Sequence, residues 1–213
     1  MKKLFIKKVL PISIIALFFV QAIYVTFVEP TITNAIAVTD AVVVTLTVDS
    51  GITITSPADV IMAPNMGVSA NSSIGSAVWN VKTNHATGYS IGVMASAAPA
   101  LVSGGNSFAD YQTGAPTVWS PTASTYQFGY SAFGSTVNTT TWGTGATCGS
   151  AGTPGAAMKY KGFTTSNAVI TSQATPTTPS GIDTTVCFAA AQNGVYAPSG
   201  TYTANITATA TEI

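Results

Sequence analysis

Arginine is absent from this chain, and seven lysines, one histidine and seven carboxylates are all the charge that 213 residues carry. Charged residues make up 7% of the sequence, where ordinary soluble domains hold roughly 25%. Four of the lysines (Lys2, Lys3, Lys7 and Lys8) sit at the extreme N-terminus, so beyond residue 37 three lysines face six carboxylates and leave a net charge of −3. Nucleic-acid binding needs clustered cations to displace counterions from phosphate, and no such cluster exists. A nucleic-acid partner is therefore excluded. The single histidine, His85, and two cysteines cannot supply a zinc site, which takes several such ligands at fixed spacing. The carboxylates are scattered, with no D-x-D-x-D run for calcium. No glycine-rich loop precedes a lysine, so the cradle for a nucleotide phosphate is missing too. Neither a metal nor a cofactor is expected.

Low charge accompanies disorder only where hydrophobicity is low as well, and 46% of this chain is apolar. Threonine, serine, alanine, glycine and valine fill the remaining space, a composition that suits strands with hydroxyl-covered outer faces. Residues 1–8 are lysine-rich, Val9 to Val28 is largely apolar, and Ala35-Ile36-Ala37 offers the small residues a signal peptidase reads. Together they read as a secretory signal with Val38 as the mature N-terminus. The apolar run of about 20 residues exceeds the usual ~7–15 and is long enough to span a bilayer, so an uncleaved N-terminal anchor is the alternative. On either reading the protein meets a membrane only through this segment, and residues 38–213 form one domain outside the cytoplasm. In an oxidising compartment Cys148 and Cys187 are expected to form a disulfide. It would tie the glycine-rich run Trp142–Gly155 to the strand-like Thr184–Ala191.

Alternation marks the strands. Val42, Val44, Leu46 and Val48 point one way and Val43, Thr45, Thr47 and Asp49 the other, before Ser50-Gly51 punctuates and Ile52–Thr55 resumes. Ala77, Trp79 and Val81 alternate with Val78, Asn80 and Lys82, and a turn at Asn84–Gly88 leads into Tyr89, Ile91, Val93 and Ala95. These two runs are expected to form a hairpin with Trp79, Val81, Tyr89 and Ile91 on its core face. Tyr126, Phe128 and Tyr130 mark another strand, Met158 to Phe163 a weaker one, and Val186, Phe188 and Ala190 a further one. The last is the clearest: Tyr202, Ala204, Ile206, Ala208 and Ala210 alternate with threonines and Asn205. About eight short strands and no helical period after residue 37 predict an all-β, antiparallel β-sandwich of Ig-like or pilin-like kind.

One catalytic pattern occurs. Gly88-Tyr89-Ser90-Ile91-Gly92 fits G-x-S-x-G, the nucleophile elbow of α/β-hydrolases. That elbow joins a strand to a helix, and its acid and histidine follow in sequence. Here the match opens a strand, and His85 precedes it. Without a base to take its proton, Ser90 is an ordinary alcohol. No catalytic residue is assigned. Lys82 and Asn205, considered as partners in a self-formed amide bond, alternate onto polar faces, whereas such a bond belongs in a core beside a carboxyl. Trp119 and Trp142 stand in loop-like sequence, and with Tyr111 they are the candidate contacts for a glycan.

The block Ala77-Val78-Trp79-Asn80-Val81-Lys82-Thr83-Asn84, the following Gly88-Tyr89, the segment Asn106–Tyr111 and the ending Ser199-Gly200-Thr201-Tyr202-Thr203 to Ala210 resemble a group of exported proteins of small-genome uncultivated bacteria. The likeness covers most of residues 40–213. More distantly, the W-x-V run and the G-T-Y-T strand resemble WxL-type surface domains and spore coat protein U/pilin-like sandwiches. Val81 stands where the WxL motif has leucine, and the companion motif is absent, so peptidoglycan attachment does not carry over. The resemblance implies a surface location and a β-sandwich. The expected function is that of a non-enzymatic structural protein of the cell surface: a coat, fibre or adhesin-like subunit that self-associates or binds other surface proteins. Val42, Val44, Leu46 and Val48, directly after the processed N-terminus, form either an ordinary edge strand of their own domain or a candidate donor strand for a neighbour's sheet. A glycan-binding module is the alternative.

Overall fold

The computed structural model describes residues 41–213. The export signal, its cleavage site and the alternative anchor lie outside the described residues. The chain divides into two compact units, Met1–Thr47 and Val48–Ile213. Of the first, residues 41–47 are described; they adopt no regular secondary structure and are exposed. The strand expected from Val42 to Val48 is thus not formed. Alternation supplies side chains for a strand but not main-chain partners, and without a partner the ladder cannot form.

The second unit is almost entirely β. Its first strands are β1 (Ile52–Thr55), β2 (Ser72–Thr83), β3 (Tyr89–Ala95), β4 (Leu101–Ser103), β5 (Asn106–Asp110), β6 (Thr117–Val118) and β7 (Thr125–Gly134). A single helical turn, α1 (Thr139–Trp142), follows, capped by the Asn138 side chain. Then come β8 (Gly149–Ser150), β9 (Thr153–Pro154), β10 (Lys159–Tyr160), β11 (Ala168–Gln173), β12 (Ile182–Asn193) and β13 (Ile206–Glu212). Six strands form one sheet in the order β1-β2-β12-β7-β5-β4, with β5 parallel to β7. Three form a second sheet, β11-β3-β13, antiparallel throughout.

The expected hairpin of β2 and β3 is corrected by this topology: β2 pairs with β1 and β12, while β3 pairs with β11 and β13. The turn carries the chain from one sheet to the other. The core-face residues are nonetheless those the alternation indicates, since Trp79, Val81, Tyr89 and Ile91 are all buried. Period-two patterning reports which face is apolar, not which strand lies beside it. Gly88 ends the turn with φ +79, and a β-carbon there would strike the Gln173 carbonyl. Glycine is required at this crossing.

Between the sheets lies the main core, with Val81, Tyr89, Ile91, Val93, Phe128, Tyr130, Phe163, Val186 and Phe188 among its members. Phe163 stacks on Tyr130 at 4.3 Å between ring centroids and on Phe128 at 5.5 Å. A second, smaller cluster lies on the other face of the large sheet: Tyr111, Met158, Tyr160, Cys187 and Ala189. Strand β12 is consequently buried on both faces from Val186 to Gln192, which is why its alternation dissolves into Ala189-Ala190-Ala191. The weak strand expected over Met158–Phe163 shrinks to the two residues of β10, paired with β6.

Candidate functional site

The disulfide is formed. Cys148, just before β8, bonds Cys187 at the middle of β12, with 5.2 Å between Cα atoms. Cys187 is wholly buried, and Cys148 packs against the smaller cluster. The bridge fastens the glycine-rich loop to the central strand of the large sheet, the role read from the sequence.

The three candidate glycan contacts do not share a surface role. Trp142 is 3% exposed and packs on Tyr130 at 5.3 Å, and the Asn138 cap fixes the helical turn that carries it. Tyr111 is 5% exposed. Its hydroxyl donates to the Val118 carbonyl at 2.8 Å and accepts from the Ser120 N–H at 3.0 Å. Both rings are interior, and the tyrosine hydroxyl is occupied in holding the β6 segment down. Trp119 is half-buried, tilted on Tyr111 at 4.6 Å and edge-on to Tyr160 at 5.2 Å. It lies over Gly129, where a β-carbon would meet the Lys161 carbonyl and Tyr111. Of the three, Trp119 alone keeps part of a ring in solvent. A more open ring escaped the sequence reading: Tyr196, in the turn after β12, is 62% exposed. Its turn-like surroundings, between Gly194 and Pro198, were the only signal for it.

Ser90 lies within β3, opposite Ser172 of β11 and Thr211 of β13. Strands flank it on both sides, and no helix follows. His85 shares its Nδ1 with the Thr87 hydroxyl at 2.9 Å, and its Nε2 stands 4.0 Å from Glu212 Oε2. Glu212 also accepts from the Ser50 hydroxyl at 3.0 Å. This small polar cluster fastens the start of β1 to the end of β13, and its Ser50 hydroxyl is bonded to the carboxylate rather than to the imidazole. Lys82, on β2, and Asn205, just before β13, are both exposed. Asp110 is held by the Ala100 N–H at 3.2 Å, and burial raises its pKa above the ordinary aspartate value. Among the described residues no three of His, Cys, Asp and Glu gather as metal ligands would.

One depression of about 480 Å³ opens beside Ala63, Pro64, Ile74, Ala151 and Gly152. Its walls carry almost no polar surface, so it offers no group to orient a ligand or move a proton. What remains conspicuous is apolar. Val42, Val43, Val44, Leu46 and Val48 are between 73% and 89% exposed, and β13 is paired on one side only among the described residues. Comparison with known protein families, with curated proteins and with solved structures yields no match to this chain.

Proposed function

We propose that this protein is a non-enzymatic structural subunit of the cell surface, a component of a coat, fibre or adhesive layer. The observation that carries the reading is the run of exposed, alternating apolar residues from Val42 to Val48, in a chain whose β unit holds a disulfide. Five open aliphatic side chains in seven residues favour burial against another surface. The two packed sheets are read as a β-sandwich, and the disulfide agrees with an exported protein. The rows of threonine on β13 and the scarcity of charge suit a durable surface layer better than a site that must move protons.

The glycan-binding alternative rests on Trp119 and Tyr196, of which Trp119 is engaged with two tyrosines. Electron microscopy of the purified, oxidised protein at high concentration tests the main reading. Regular filaments or sheets are expected. Dispersed single particles at every concentration would overturn assembly and leave glycan binding as the reading to pursue.

A further inference from the structure

Three loops meet at the end of the large sheet where β12 stops. Strands β2, β12 and β7 lie side by side and antiparallel. The loops before β2 and β7 and the loop after β12 therefore come to the same end. They are residues 66–71, 119–125 and 194–200.

Gln192, next to last in β12 and 5% exposed, joins two of them. Its Nε2 donates to the Gly67 carbonyl at 2.7 Å and to the Ala70 carbonyl at 3.3 Å, and its Oε1 accepts from the Ala197 N–H at 3.1 Å. Its main-chain N–H donates to the Asn71 carbonyl. Asn193 joins the third loop, donating from Nδ2 to the Pro121 carbonyl at 2.8 Å. That loop is held again where the Thr122 N–H donates to Gln127 Oε1 at 2.7 Å, and its Ser124 has φ +59. A serine keeps this left-handed conformation only where its surroundings fix it. Losing either end of a buried carboxamide leaves polar groups unpaired, so the three loops hold one arrangement before any ligand arrives.

The surface they present is apolar in one small place and polar around it. Val68, Val195 and Tyr196 are 80%, 37% and 62% exposed. Val68 lies between Gly67 and Ala70, and Tyr196 directly precedes Ala197, so the two stand on either side of the Gln192 carboxamide. Ser69, Asn71 and Ser124 are exposed in the same loops. A rigid tyrosine ring among serine, glycine and asparagine is the composition that binding loops use, the ring for contact area and the small polar residues for hydrogen bonds.

No charged residue occurs in any of the three loops. A charged ligand would lose water there and gain no counter-charge, which disfavours it. One ring and two aliphatic side chains suit a sugar ring or two, and not the roughly 800 Å² that each partner of a stable protein complex covers. A pyranose meets both halves of this surface. Its C–H face packs on a phenol ring, and the hydroxyls at its rim exchange hydrogen bonds with hydroxyl and amide groups.

We infer that loops 66–71, 119–125 and 194–200 form a binding site for a neutral saccharide, with the Tyr196 ring as its platform. The site goes beyond the structural role above and holds whether or not the subunits assemble. One exposed ring makes a weak site, and copies held side by side in a surface layer gain avidity without any new contact.

The full chain, purified as the expressing cells process and release it, tests this on an array of neutral oligosaccharides. The array carries glucose, galactose, mannose and N-acetylglucosamine oligomers, with sialylated and sulfated counterparts beside them. Binding to at least one neutral oligosaccharide is expected, with no gain from the acidic group. Tyr196→Ala is expected to weaken that binding about tenfold or more. Tyr196→Phe keeps the ring and is expected to stay within about threefold of wild type. Because Tyr196 is largely in solvent, circular dichroism of both variants should match wild type. The inference is overturned if no neutral oligosaccharide binds, if only acidic ones do, or if Tyr196→Ala binds like wild type. It also fails if Tyr196→Phe loses as much as Tyr196→Ala, since the ring is then not the platform. Electron microscopy of filaments reports on assembly separately, so an empty array leaves the structural reading as it stands.

Discussion

Tyr130 and Tyr160 are 1% and 0% exposed, and their hydroxyl oxygens have no hydrogen-bond partner among the described residues. Burial disfavours the phenolate, so the pKa of Tyr160 is pushed up to about 12 and that of Tyr130 is raised in the same direction. Both groups stay neutral in the folded protein while their unfolded counterparts ionise near pH 10. The stability they protect is whole below about pH 10 and is lost as pH climbs through about 12, by roughly 2 kcal/mol for Tyr160. Urea unfolding at a series of alkaline pH values should show this decline, and Tyr160→Phe should make it shallower. The substitution should change neutral-pH stability by about 1 kcal/mol at most, because the hydroxyl it removes has no partner beyond a weak approach to the Gly155 backbone. An unchanged alkaline slope in Tyr160→Phe would show that this hydroxyl is not the group being titrated.

Pairing decides more than patterning at the scale of elements. The faces of β2 and β3 were legible in Trp79, Val81, Tyr89 and Ile91, yet the two strands lie in different sheets. Nothing in a five-residue turn tells a hairpin from a crossing, because both bury the same residues. The disulfide was legible because the chain holds two cysteines, each the other's one available partner. Its loop spans a sequence separation of 39, for which the chain-entropy account gives about 4 kcal/mol as an upper figure. Cys148→Ser should therefore lower urea-unfolding stability by about 2–4 kcal/mol. The loss should first show as amide exchange in the 143–157 loop rather than in the β3 sheet. Equal exchange in both would mean that the bridge supports the whole unit and not this loop.

Considered as a whole molecule, the chain has little charge with which to attract or repel a neighbour. Assembly through the exposed valines should therefore persist in about 1 M sodium chloride, where the Debye length falls to roughly 3 Å. Sedimentation of filaments at low and high salt is the check. Dissolution by salt would place ion pairs at the contact between subunits and count against an apolar one. The His85–Glu212 contact is engaged within the unit, fastening the end of β13 beside the start of β1. It is not free to serve as a contact.

The sequence by itself determined the all-β class, the disulfide and the inward faces of the strands, because each follows from local alternation or from residue chemistry that needs no neighbour. It also marked Val42, Val44, Leu46 and Val48 as a strand, since four alternating aliphatics carry that pattern wherever they end up. Only the tertiary structure decided which strands pair, that β12 is covered on both faces, and that Trp142 and Tyr111 lie inside while Trp119 stays half open. It alone left Val42–Val48 without a ladder and β13 paired on one side only among the described residues. Pairing and burial depend on which main-chain groups remain unsatisfied once the long-range contacts have formed, and no stretch of sequence holds that count.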